Sequence, residues 1–447
     1  ELKPDQHHDW LNQRDPHFAR FMALGDKSKG ARPDERIFEN YTRGLITSRD
    51  AWCYNFSRSS LRDTIQAMIR FYNHERDRLQ EQIAAGARRL SATEITHLID
   101  NDSRKINWSV NLKQDLSRNR TFGIEEGRIM ETQYRPFTRM YLYFSRRLNE
   151  RVSQLPKLFP HAQAENRVIC VTAIGATRPF STFMVNAIPD FQLMFNSQCF
   201  PLWLYREAEA KDGGLFGNTA ETDGHGYVRY SAISDAAISK FAAATGTPVT
   251  ADDLFYYIYG VLHVPAYGTK FAANLKKELP RIPLPDGAEQ FCALTEAGRE
   301  LADLHINYEF AEQWPIQFEK GGWEPAESGS ANNPYRVGKP MRHPRKGKAK
   351  DLTRILYNEH ITVCGILEEA YEYMVNGKPA IAWVMERQCV RTDKKSGIVN
   401  DANIFALETM GDAAYPLKLL ARIISVSMKT LAIVRALPEL SWAKAAE

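Results

Sequence analysis

Apolar side chains at Leu61, Ile65, Met68, Ile69 and Tyr72 recur at i, i+4, i+7, i+8 and i+11, which puts them on one face of a helix. Ser57 or Ser60 can cap its start. Its continuation, Asn73 to Arg89, is dominated by charge and reads as a surface spacer between lobes. Upstream, Ile37 to Phe56 reads as two aromatic-rich extended segments broken at Gly44. Downstream, Arg167 to Ala173 and Phe191 to Tyr205 are β-branched or aromatic runs bounded by Gly175, Pro179, Pro189 and Pro201, the pattern of short strands. A Gly- and Asp-rich loop, Lys211 to Gly226, precedes three helical patterns: Ser234 to Ala244, Asp252 to Leu262, and Tyr267 to Glu278, the last stopped by Leu279-Pro280. Residues 320 to 350 hold glycine, proline, serine and basic side chains and read as a loop or linker. Beyond them, short strands such as Arg354 to Val363 alternate with helices near Glu368 to Met374 and Lys418 to Ala436.

The pattern predicts a mixed α/β (α+β) protein with a helical N-terminal lobe, a strand-rich core and a bracing C-terminal portion of helices and strands. The expected divisions are 1–102, 103–285 and 286–447. Length and composition agree: 447 residues suit two to four domains, and 44% hydrophobic with 25% charged residues is a globular balance. No run approaches eighteen apolar residues, so no membrane span is expected. The six cysteines, Cys53, Cys170, Cys199, Cys292, Cys364 and Cys389, include no C-x-x-C pair, which points to a reducing cytoplasm rather than to zinc or disulfides. The chain begins at Glu1 without an apolar leader and reads as a piece of something longer.

Three patterns invite a catalytic reading, and each lacks its context. Asn332-Asn333-Pro334-Tyr335 resembles the loop with which amino-methyltransferases grip an extruded adenine, but no buried strand leads into it. Pro189-Asp190 followed by Glu209-Ala210-Lys211 outlines a metal-dependent nuclease, yet Arg206 to Asp212 is polar apart from alanine, unlike the strand such a site needs. His7, His8 and Asp9 have no third ligand at helical spacing. No phosphate-binding glycine loop and no nucleophile elbow occurs, so neither catalytic residues nor metal ligands nor a cofactor site are assigned.

The charge is unevenly distributed along the chain. The net charge of +4 is mild, but between Arg104 and Lys157 twelve Lys or Arg stand against five acidic residues, about +7, interleaved with Trp108, Phe122, Tyr134, Phe137, Tyr141, Tyr143 and Phe144. A second cluster holds Arg336, Lys339, Arg342, Arg345, Lys346, Lys348 and Lys350. Two such clusters in a nearly neutral chain favour nucleic acid, because phosphates attract cations while planar forks read base edges. Arg135, Arg139, Arg146 and Arg147 are the expected phosphate contacts, Lys346, Lys348 and Lys350 a clamp on the far backbone, and Arg178 a base-reading candidate on its loop.

Longer stretches carry a family resemblance. Asp9-Trp10-Leu11-Asn12-Gln13-Arg14-Asp15, Arg49-Asp50-Ala51-Trp52-Cys53-Tyr54-Asn55-Phe56 and Tyr134-Arg135-Pro136-Phe137 resemble segments that follow the catalytic loop of the methyltransferase in Type ISP restriction-modification enzymes. Arg167-Val168-Ile169-Cys170-Val171, Ser197-Gln198-Cys199-Phe200-Pro201, Asp253 to His263, Lys276 to Pro283, Glu372 to Gly377 and Ser396 to Asp401 resemble the C-terminal specificity, or target recognition, domain of that family. The resemblance implies recognition of double-stranded DNA that positions a target adenine for methylation and directs restriction of unmodified DNA. It implies upstream methyltransferase, ATPase and nuclease parts on the same polypeptide, using S-adenosylmethionine, ATP and Mg²⁺, with none of these cofactors assigned to this segment. The competing readings are an autonomous Mg-dependent nuclease or methyltransferase fragment, and a structural coupler that binds other subunits.

Overall fold

The computed structural model describes residues 3–5, 8–11, 13–28, 32–86, 90–208, 222–323, 333–440 and 442, with 33, 82–86 and 346 as backbone. The helix expected after Ser57 runs Arg58–Gly86, and Leu61, Ile65, Met68, Ile69 and Tyr72 are all buried along it. Its start is set by the Ser57 hydroxyl, which accepts the Ser60 amide hydrogen at 3.2 Å. The charged continuation is not wholly solvated: Leu79 and Glu75 are buried, Glu75 accepting from Arg78 and from the Asp100 amide. Two shorter helices follow, Ala92–Leu98 and Val110–Ser117, each capped by a serine whose hydroxyl accepts the amide three residues on.

Among the described residues two sheets have four strands each. In one the order is Tyr54–Asn55, Thr138–Tyr143, Ile129–Arg135 and Ile188–Pro189, the last pairing parallel. In the other it is Thr42–Arg43, Gln198–Pro201, Val168–Val171 and Thr182–Val185, all antiparallel. Every residue of Val168–Val171 is buried, as a strand covered on both faces requires. The extended reading of 37–56 is corrected at its end, where Asp50–Cys53 forms a helical turn before the strand.

Helices Ala251–His263 and Ala288–Ile306 pack closely through two glycines. A Cβ on Gly298 would stand 2.0 Å from the Tyr256 carbonyl oxygen, and one on Gly260 2.2 Å from that of Leu294. The helix Ala288–Ile306 was not anticipated, and the pattern over 267–278 resolves into two short helices, Pro265–Lys270 and Ala272–Leu275. Near 368 the expected helix is a 3-10 turn, Glu368–Tyr371, followed by strand Met374–Val375. Helix Tyr415–Ala436 packs against Ala288–Ile306.

Chain order and packing do not run in parallel. Strand pairing crosses position 102, since Tyr54–Asn55 pairs with Thr138–Tyr143, and packing crosses 285 through the two glycine-contacting helices. At the meeting point sits His305, buried, with the Tyr259 hydroxyl 2.6 Å from Nδ1 and the Tyr373 hydroxyl 2.8 Å from Nε2. Met184 donates its amide to the same Tyr259 hydroxyl at 2.9 Å, tying the second sheet to both helices.

Candidate nucleic-acid interface

The first basic segment folds into the hairpin Ile129–Arg135 and Thr138–Tyr143, turned at Pro136-Phe137 with φ of 55° at Phe137. The tight turn places Arg135 and Arg139 against buried carboxylates. Arg135 donates to Asp190 at 2.6 Å, and its guanidinium lies 3.8 Å from the centre of the Tyr134 ring. Tyr54 donates its hydroxyl hydrogen to the other Asp190 oxygen at 2.8 Å. Burial pushes the Asp190 carboxyl up to about 6 while Arg135 opposes the rise, so it is ionised opposite its cation at neutral pH. Arg139 pairs with Glu309 at 3.0 Å and also donates to Asn186 and to the Ile306 carbonyl. The side chains of Arg135 and Arg139 are only 11% and 13% exposed. They are committed internally and hold the hairpin to the core, so their placement adds nothing to a phosphate role.

Arg146 and Arg147 follow the same hairpin and are exposed. Arg147 lies 5.9 Å from the centre of the Phe122 ring, and neither has a carboxylate partner among the described residues. Arg178 is half-buried: it donates to the Asn376 carbonyl at 2.8 Å and lies over Phe195, which anchors its loop to the C-terminal portion.

The second cluster contains a β-ribbon. Arg345 pairs with Lys350 and Lys346 with Ala349 across a two-residue turn, Gly347-Lys348, with φ of 64° at the glycine. Arg345, Lys348 and Lys350 are exposed without carboxylate partners among the described residues; the Lys346 side chain lies outside them. Arg336 differs, pairing with Asp401 at 2.7 Å.

A site that the sequence reading missed lies where three parts of the chain meet. The hairpin Val390–Thr392 and Val399–Asp401 docks on the first sheet, with the Phe56 amide donating to Asn400 at 3.3 Å and the Ser103 hydroxyl to the Lys395 carbonyl at 3.1 Å. Between them is a cleft of about 350 Å³ lined by Asp50, Tyr54, Tyr134, Arg387, Arg391 and Asn400, among others. Burial, with Arg135 nearby, holds the Arg387 guanidinium below its ordinary value. Arg387, Arg391, Lys394 and Lys395 form a third basic run, offset in sequence by Glu386 and Asp393.

None of the enzyme-like patterns is complete among the described residues. Asp190 is buried in its ion pair, while Glu209, Ala210 and Lys211 lie outside the described residues. Asn332 and His7 also lie outside them. Asn333 accepts the Tyr335 amide in a turn, and Asp9 pairs with Arg14 and Lys277. Among the described residues no group of three His, Cys, Asp or Glu could hold a metal ion, and no helix is long and apolar enough to cross a membrane.

Comparison with known proteins adds an independent finding. The family model for the Type ISP C-terminal specificity domain matches residues 36–419. A nuclease-deletion mutant of the Type ISP restriction-modification enzyme LlaGI, solved with a DNA substrate mimic, is 37% identical with a TM-score of 0.79 over 98% of this chain and 36% of that one. The ATP-dependent Type ISP enzyme LlaBIII, solved bound to DNA, is 34% identical with a TM-score of 0.80 over 98% of this chain and 25% of that one. The DrdV–DNA complex is similar at 26% identity and a TM-score of 0.78, over 99% and 40%. The chain thus spans well under half the length of these relatives. No curated protein matches it.

Proposed function

The chain belongs to the family of Type ISP C-terminal specificity domains, and from that premise we propose that it recognises a specific sequence in double-stranded DNA within a longer cytoplasmic restriction-modification enzyme. Its role there is to hold a target adenine in register for methylation and to direct restriction of unmodified sites. Methyl transfer, translocation and cleavage, with their S-adenosylmethionine, ATP and Mg²⁺, fall to other parts of such a polypeptide.

The observation that carries this reading is the division among its cations. Arg135 and Arg139 are neutralised inside, while Arg146, Arg147, Arg345, Lys348 and Lys350 face solvent without carboxylates among the described residues. Uncompensated surface cations release counterions when they meet phosphates, which makes binding steeply salt-dependent. An exposed two-stranded ribbon has the width that a major groove admits. Relatives of similar fold were solved on DNA, in keeping with this role. The test is fluorescence anisotropy of the full chain with a labelled duplex over a salt series. Binding that weakens linearly in log–log form with a slope of several units is expected. No binding, or binding indifferent to salt, would refute the proposal.

A further inference from the structure

A second and larger cleft, about 710 Å³, opens beside a two-stranded sheet. It is bounded by loop 162–167, by strands Trp203–Glu207 and Tyr227–Ser231, and by helix Ala288–Ile306. Three arginines face it, and the structure treats them differently. Arg299 is closed by two carboxylates, donating to Asp252 and, at 2.8 Å, to Asp253. Arg167 and Arg229 have no carboxylate partner among the described residues, and both are exposed. Arg229 lies over Trp203 at 4.6 Å from the ring centre, beside the Tyr205 hydroxyl, and Arg167 over Tyr256 at 5.6 Å, the ring that Arg299 also faces at 4.4 Å.

A guanidinium held by its face keeps N–H groups at its edge for a planar pair of acceptors and loses little freedom on using them. Several of the cleft's other polar groups are already engaged. Asn166 donates to the Leu158 and Trp203 carbonyls and accepts the Arg167 and Trp203 amides. Asn307 donates to Asp303 at 2.6 Å, and the Asn186 carbonyl accepts from Arg139 at 2.8 Å. The two arginine forks are therefore the charged donors of the cleft that no carboxylate engages among the described residues.

The local charge says which ligand. Arg167, Arg229 and Arg299 share the cleft with Glu165, Asp252 and Asp303, so it is close to neutral. Those carboxylates would repel a phosphate but not the uncharged edge of a base. The exposed ribbon and Arg146–Arg147, which lack such carboxylates, have the opposite character. Resting on the reading of the chain as a DNA-recognition domain, we propose that this cleft takes a nucleobase edge, with Arg167 and Arg229 as specificity-determining residues that read the O6 and N7 acceptors of guanine.

The test selects bound duplexes from a randomised pool with the full chain and with two charge-preserving variants, Arg167→Lys and Arg229→Lys. Arg118→Lys, at an exposed position on the end of helix Val110–Ser117, serves as the control. Lysine keeps the charge and loses the fork. The expected result is a wild-type motif containing guanine, with each cleft variant losing preference at one guanine by about ten- to a hundredfold while its salt slope is unchanged. The control should keep the full motif. Cleft variants that select the wild-type motif, or that weaken all sequences equally, would overturn the assignment while leaving DNA recognition intact. A wild-type chain that selects no motif would overturn the broader reading as well.

Discussion

The hairpin arginines Arg135 and Arg139 and the arginines just beyond them, Arg146 and Arg147, come from one basic segment and look alike in sequence, yet fold into opposite roles. The first pair is 11% and 13% exposed and locked to Asp190 and Glu309; the second pair is in solvent. The carboxylates that make the difference are 55 and 170 residues further along the chain. A positive segment is therefore a weak guide to an interface until the anions that return to it are known.

The largest effect is expected at the buried pair. Removing Arg135 by Arg135→Ala leaves the buried Asp190 without its cation, which should cost about 3–5 kcal/mol and be seen as a lower urea midpoint. Arg146→Ala should shift stability by no more than about 0.5 kcal/mol. Equal effects at the two positions would erase the distinction.

Gly298→Ala probes the helix packing behind Arg139, since Ile306, whose carbonyl accepts from Arg139, ends the same helix. An added methyl must displace the Tyr256 backbone, so a loss of about 1–3 kcal/mol or more is expected by thermal or chemical denaturation. Gly268→Ala, with open space around its Cβ, should be neutral or slightly stabilising.

Acidification acts on the same junction. Burial holds the His305 imidazole well below its ordinary value near 6.5, so the unfolded chain binds a proton there before the folded one does. The stability tied to neutral His305 is complete above pH 6.5 and declines as pH falls below it. Melting temperatures between about pH 7.5 and about pH 5 should fall, and less steeply in His305→Gln. The smallest effect belongs to the outward pair: Arg146→Gln with Arg147→Gln should lower the salt slope of duplex binding by about one unit for each phosphate the variant leaves unneutralised, at nearly constant stability.

Much of the fold was legible where a single element carried its own pattern. The face from Leu61 to Tyr72 and the capped aromatic helix from Ala251 are such cases, since local spacing decides both. Helix Ala288–Ile306 escaped because its closest approach to a neighbour is made by Gly298, which interrupts the apolar stripe. The family was legible from extended aromatic and proline segments. The side chains that face the clefts were not: Arg387 stands next to Glu386 in sequence, and Arg229 owes its setting to Trp203 on the neighbouring strand.

The most direct measurement is arginine modification with phenylglyoxal, with and without duplex DNA, read residue by residue by mass spectrometry. In the free chain Arg146, Arg147 and Arg345 should react and Arg135 and Arg139 should not. Bound DNA should protect the first three and leave the second two unchanged. Reaction at Arg135 and Arg139 that DNA suppresses, with Arg146, Arg147 and Arg345 still open, would contradict the division of roles.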